Sequence, residues 1–310
     1  MSSNDLFSAG TLRHSYLEST ARARAQGMCD DDSFIEWLDP RTRLTSPHLE
    51  ALGVPVSFDD GIVVGEGRLK GERIFVAAQE GRFMGGAVGE IHGAKLTGLL
   101  RRAAQEKPAA VLLLLETGGV RLHEANAGLV AISEIQRAVF DARDAKVAVV
   151  VLIGGGNGCY GGMGIVAPCC DAIIMSELAR LSVSGPEVIE TARGVEEFDA
   201  KDRALVWRTM GGKHRYLLGE IDRLVDDDLA SFKEAAAAFL HRPVELDLDA
   251  VVAEHARLTD RIDRFGECED ALDIWRDLGI AEPERIPSLD LEQFLEATAG
   301  SRVGSAHEAE

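Results

Sequence analysis

Two glycine pairs stand at matching places of a repeated pattern: Gly118-Gly119 in "LLLLETGGVRLHE" and Gly161-Gly162 in "VVVLIGGGNGCYGGMGIV". Each follows an apolar, strand-like run and leads into a helix-like one. Around the second pair, seven glycines fall within the eleven positions from Gly154 to Gly164. Gly-Gly at a strand-to-helix turn presents consecutive backbone N–H groups near the positive end of a helix. Fixed donors of this kind stabilise negative charge that develops on a carbonyl oxygen, and losing one costs about 3–4 kcal/mol of barrier in enzymes that rely on them. Glycine is needed there where a Cβ would block the substrate or φ is positive. A single pair reads as a tight turn. Two pairs at equivalent places of a repeat favour an oxyanion hole built from Gly118, Gly119, Gly161 and Gly162.

Other glycine chemistry fits less well. Gly156, Gly158 and Gly161 match G-x-G-x-x-G, and Glu177 lies 21 residues beyond Gly156, where a ribose-binding acid is expected. The match sits mid-chain, however, and Pro168 leaves little room for the helix that should follow. No Gly-Lys-Ser/Thr closes a P-loop, no HExxH supplies a metal site, and no GxSxG marks a serine nucleophile. The eight histidines are scattered, and the five cysteines form no CxxC. Neither a zinc site nor a disulfide framework follows, and the thiols suit a reducing compartment.

The elements that must position these turns are legible around them. Residues 11–38 read as an amphipathic helix ending near Asp39-Pro40, and 40–60 as turns. Residues 61–81 read as two strands about a turn at Lys70-Gly71-Glu72, followed by a glycine loop and a helix to about Lys107. Residues 109–143 form a continuous apolar strand, a Gly-Gly turn and a helix whose buried face carries Leu129, Ile132, Ile135 and Val139. Residues 147–177 repeat the unit with a shorter helix and add a strand. Strands apolar on both faces imply a sheet covered on both sides. "SGPEVIETA" opens a further helix, with Ser184 as N-cap and Pro186 at its first turn. The division expected is an N-terminal helical segment (1–60), a core (61–244) and a helical acidic appendage (245–310). The chain of 310 residues carries a net charge of −19. Its last 66 residues hold 18 Asp/Glu against 6 Arg, a net of −12. Such a balance excludes nucleic acid as a partner. No run is long and apolar enough to span a membrane, so a cytoplasmic protein is expected.

Four stretches in this order, "RFMGGAVGEIHGAK", "ETGGVRLHE", "CYGGMGIV" and "LSVSGPEVIETA", resemble the amino-terminal half of carboxyltransferases that act on acyl thioesters, within the crotonase-like superfamily. "STARARAQGMCDDDSFIEWLDP" resembles the first helices of that family, and the likeness runs from about residue 20 to 240. The longer run from Leu114 to Gly219 resembles the family of β subunits of biotin-independent malonate decarboxylases. The resemblance implies an α/β fold, a crotonase-like superhelix of ββα repeats with flanking helices. It implies decarboxylation of a malonyl thioester, carried on the phosphopantetheine-type arm of an acyl carrier protein, with neither biotin nor metal. Gly161 and Gly162 would hold the enolate oxygen, and Gly118 and Gly119 would line the adjoining wall or add donors. Val120, Tyr160, Met163, His123 and Glu187 would border the substrate. The proton for the carbon would come from water, Tyr160, His123 or a partner chain. Lys213 and Arg215, in the basic loop "GGKHRY", would reach the phosphates of the arm or simply be solvated. The implied partners are a γ-like subunit supplying the second crotonase-like half, the carrier protein and its transferase subunit. Two departures matter. There is no four-cysteine zinc ribbon, and Ile165 stands about where hydratase relatives place a catalytic Glu, which argues against hydration. Glu187 falls near the second acid of those hydratases, or is a carboxylate favoured by a helix N-terminus. A biotin-dependent carboxyltransferase subunit and a non-catalytic scaffold remain as alternatives.

Overall fold

The computed structural model describes residues 14–304. Its strands are β1 (Ile35–Trp37), β2 (Ile62–Leu69), β3 (Glu72–Gln79), β4 (Ala110–Leu115), β5 (Val149–Ile153), β6 (Ala172–Ser176) and β7 (Arg223–Val225). They lie side by side in chain order. β1, β2 and β3 pair antiparallel, and from β3 to β7 every neighbour is parallel. The helices are α1 (Ala21–Gly27), α2 (Pro47–Ala51), α3 (Glu90–Glu106), α4 (Ala127–Asp144), α5 (Gly162–Val166) and α6 (Pro186–Arg193). They continue with α7 (Arg203–Met210), α8 (Gly212–Leu217), α9 (Leu229–Ala237), α10 (Leu248–Phe265), α11 (Ala271–Asp277) and α12 (Leu291–Ala297).

Every residue of β4, β5 and β6 is buried, because both faces of the sheet are covered. Val111, Leu113 and Leu115 of β4 point into one core and Ala110, Leu112 and Leu114 into the other; β5 and β6 split the same way. This period of two follows from the pleat. One core is closed by α3 and α4, whose Leu96, Leu100, Ile135 and Val139 are fully buried. The opposite core is closed by α1 and α9, with Tyr16 stacked on Phe232 at 4.1 Å between ring centres. Trp275, Ile286 and Phe294, all from the acidic C-terminal stretch, are buried in the first core.

The structure corrects four local expectations. Residues 11–13 lie outside the described residues, and the helix expected through residue 38 is only α1, capped by the Thr20 hydroxyl. Ile35–Trp37 instead extends the sheet as β1, since Glu36 and Trp37 pair with Gly65 and Val64. Leu129 is 56% exposed, on the solvent side of α4 rather than its buried face. Gly185, not Ser184, is the N-cap of α6, and it has no side chain to give a capping bond.

Candidate active site

Beyond Leu115 and Ile153, the segments that follow β4 and β5 continue side by side to the two glycine pairs. Thr117 N–H donates to the Gly158 carbonyl at 2.8 Å, and Tyr160 N–H donates to the Thr117 carbonyl at 2.9 Å. The turns therefore arrive in register. At the second turn Gly161 is the N-cap of α5 with φ 63°. A Cβ there would stand 2.9 Å from Gly119 Cα, so this position needs glycine for its backbone angle and for the contact between turns.

The hydrogen bonds decide which amides are free. Gly118 N–H donates to the Gly85 carbonyl at 2.8 Å, Gly119 N–H to Thr117 Oγ1 at 3.1 Å, and Gly161 N–H to the Val183 carbonyl at 2.9 Å. These three glycines shape the site with their donors already engaged. Among the described residues two amides at the glycine turns have no acceptor, and the next amides of α5, beginning with Met163, have none either. One is Gly162 N–H, the first of α5. The other is Val120 N–H, which faces away from the bridge that Gly119 and Arg121 make to Val88. Of the four glycine amides read as donors, only that of Gly162 is left unengaged, and Val120 N–H stands beside it in the same condition. A Cβ on Gly162 would collide with the Ile132 side chain of α4. Glycine is held here by packing from behind, whereas the sequence reading placed the substrate there. α5 has only five residues, so its dipole is small and the aim of the amides matters more.

The rim is uneven. Gly118 is exposed, while Gly119, Val120, Gly161 and Gly162 are half-buried. Met163 is buried beneath α5. Tyr160 and Glu187 bracket Gly185: a Cβ on that glycine would lie 3.8 Å from Tyr160 Cδ2 and 3.8 Å from Glu187 Oε2. The Tyr160 hydroxyl is sealed from solvent without a hydrogen-bond partner, and burial pushes its pKa up. Glu187 is exposed in the first turn of α6, and His123 is exposed just beyond the first glycine turn.

The stretch expected as a basic loop is the helix α8, and its cations turn inward. Lys213 Nζ pairs with Glu177 at 2.9 Å and donates to the Ile286 carbonyl at 3.2 Å. Arg215 pairs with Glu220 at 2.6 Å. Burial pushes the Glu220 carboxyl upward, but the charges of Arg215 and Arg261 prevail and hold its pKa at about 2. Arg215 also borders a cavity of about 680 Å³ beneath α10 that reaches Gly164, Ser182 and Val183.

Sequence reasoning missed the supports of the first turn. Arg121, fully buried just after it, bonds both Asp60 oxygens at 2.8 and 2.7 Å and Glu124 at 3.2 Å. It also donates from Nε to the Ala87 carbonyl at 2.9 Å. Burial pushes the Asp60 carboxyl up despite Arg121. An arginine two residues past a Gly-Gly pair was the only signal, and its partner lies 61 residues away. Among the described residues no three His, Cys, Asp or Glu side chains gather as metal ligands.

The chain belongs to the carboxyl transferase domain family, whose pattern matches residues 13–248. Within it, the chain is 41% identical to the malonyl-S-ACP:biotin-protein carboxyltransferase MADC of Malonomonas rubra, over 91% of this chain and 94% of that protein. Its structure resembles a chain of a Pseudomonas malonate decarboxylase hetero-tetramer solved with malonate, with a TM-score of 0.77, 40% identity, and coverage of 84% of this chain and 95% of that one. It also resembles a chain of the Pseudomonas MdcD-MdcE hetero-dimer, with a TM-score of 0.65, 36% identity, and coverage of 83% and 98%. The likeness inferred from the quoted motifs, to malonate decarboxylase subunits with a crotonase-like carboxyltransferase fold, is the likeness found.

Proposed function

We propose that this chain is the oxyanion-hole subunit of a malonate decarboxylase acting on malonyl-S-acyl carrier protein. The observation that carries the proposal is the pair of unengaged amides, Val120 and Gly162, on two turns held in contact. In the reaction the bond between the malonyl methylene and its carboxylate breaks and CO2 departs. The electron pair moves into the thioester carbonyl as an enolate, and the two N–H groups stabilise its oxygen. Donors already in place favour the transition state over the ground state. Protonation of the carbon then gives the acetyl thioester. Residues 61–244 form the catalytic core in this reading, with 1–60 and 245–310 as flanking segments. The protein works in the cytoplasm, with a transferase subunit loading the carrier.

A second subunit completes the site. Leu122, Ile165, Val183 and Val188 are apolar and 46–83% exposed around or beside the turns. An apolar rim of this kind supports a protein partner. The similar solved chains come from hetero-oligomers. Reconstitution tests this: CO2 and acetyl thioester should form in equal amounts only when this chain, a γ-like subunit and the malonylated carrier are combined. Full turnover by this chain alone would refute the shared site.

The Malonomonas relative favours a second reading, in which the same enolate forms while the carboxyl group passes to a biotin protein. The hole serves both reactions, so the acceptor of the carboxyl group distinguishes them.

A further inference from the structure

We propose that Glu116, paired with Arg24, is the positioning residue that holds the Asn157 loop, and with it the approach to the second glycine turn, against the first. Its effect on turnover rests on the oxyanion-hole reading; its effect on the loop rests on geometry alone.

Glu116 directly follows β4 and precedes Thr117-Gly118-Gly119, and it is buried. One carboxylate oxygen, Oε1, accepts the backbone N–H of Asn157 in the other glycine-rich loop at 3.2 Å. The other, Oε2, pairs with Arg24 of α1, itself buried. Arg24 is fixed in turn by donating from Nε to the Tyr16 carbonyl at 2.8 Å and from Nη2 to the Leu17 carbonyl at 3.1 Å. Asn157 Nδ2 donates to the Gly81 carbonyl at 2.7 Å, and a Cβ on either Gly81 or Gly155 would collide with the Glu116 carboxylate. The backbone of Glu116 is tied as well: its N–H donates to Gln79 Oε1 at 2.9 Å, and Gln79 Nε2 contacts His92 Nε2 at 3.1 Å. The carboxylate is thus a strut from the residue that precedes the first turn to Asn157, in the loop that leads into the second. The backbone bonds of Thr117 with Gly158 and Tyr160 tie the same two segments, and side-chain length at 116 sets where the Asn157 loop rests against them.

Length and charge make opposite predictions, which gives the test. Displacing a catalytic donor by about 1 Å costs roughly a hundredfold in rate. Glu116→Asp keeps the charge and withdraws the carboxylate by one methylene. Glu116→Gln keeps the length but leaves Arg24 buried without a counter-charge, which is destabilising. In the assembled complex, kcat should fall about a hundredfold for Glu116→Asp and less than about tenfold for Glu116→Gln, with KM nearly constant in both, since the hole acts on the transition state. The melting temperature should follow the reverse order. If Glu116→Gln does not fold, Arg24→Gln/Glu116→Gln removes the unpaired charge and keeps the length. Hydrogen exchange in the same samples should show the Asn157 amide losing at least about tenfold of its protection in Glu116→Asp while β4 and β5 stay protected. Activity that tracks melting temperature, or a Glu116→Asp complex with wild-type kcat and Asn157 protection, would overturn the proposal. A wild-type complex inactive on malonyl thioesters would instead remove the functional reading, and Asn157 exchange would still decide whether Glu116 holds the loop.

Discussion

At the scale of single residues, the account turns on where two amides point. Gly162→Ala retains the N–H but drives its new Cβ into Ile132. The turn must shift, and a displacement near 1 Å predicts a loss of about a hundredfold in kcat. Gly162→Ala/Ile132→Ala makes room, so turnover should recover to within about tenfold of wild type, a coupling of the kind expected for touching residues. If the double variant is as impaired as the single, the steric account of Gly162 is wrong. Tyr160 gives a contrasting expectation. Its hydroxyl is sealed and unpartnered, and a buried donor without a partner costs about 1–3 kcal/mol. Tyr160→Phe should therefore melt at the same or a higher temperature and keep its turnover, with the proton reaching the enolate from elsewhere. A loss of a thousandfold, about 4 kcal/mol at the transition state, would make Tyr160 the proton donor. Glu187→Gln should change little, because an exposed carboxylate in a helix's first turn contributes only about 0.3–1 kcal/mol.

At the scale of elements, α8 and the C-terminal helices act as one unit. Trp275 of α11, almost fully buried, donates its Nε1–H to His214 Nδ1 at 3.1 Å. That bond requires a neutral ring, and burial, aided by the charge of Arg215, holds the His214 pKa at about 3. The unfolded value is about 6.5, so below it the unfolded chain binds a proton that the folded one refuses. Stability is complete above about pH 6.5 and falls as the pH drops toward 3, by up to about 1.4 kcal/mol per unit for this one group. His214→Gln can still accept the Trp275 bond, and its melting temperature should fall less steeply between pH 6.5 and 5. Equal slopes would place the acid sensitivity elsewhere. The same elements mark the limits of the sequence. β2 through β6, α3 and α4 were legible because each is long and periodic, with an apolar stretch that only a doubly covered sheet can bury. β1 and β7 have three residues each and no period to read. The charges of "GGKHRY" suggest a solvated loop, but Lys213 is satisfied by Glu177 and by carbonyls from a segment over 70 residues away. The glycine turns mark the candidate site. Which amides remain free depended on Gly85 and Val183, and no local pattern encodes those contacts.

At the scale of the whole molecule, the chain places a half-open site beside an apolar rim. Leu122, 83% exposed, and Val183, 58% exposed, are suited to burial by a second subunit. Exposed substitutions rarely move stability by more than about 0.5 kcal/mol. Leu122→Asp/Val183→Asp should therefore leave this chain's own melting temperature unchanged while abolishing co-elution with the γ-like partner. Retained assembly would move the interface to another face, such as the outward apolar stripe of Leu248, Val252 and Ile262 on α10. What the completed site does with the carboxyl group is the central question, since the relatives at 41% and 40% identity bear names from the two sides of it. The most direct measurement is CO2 release from malonyl-S-acyl carrier protein by the assembled complex, with excess avidin present. The account predicts an unchanged rate and one acetyl thioester per CO2. Release abolished by avidin, and restored when a biotin protein outcompetes it, would contradict biotin-free decarboxylation and assign this chain to carboxyl transfer.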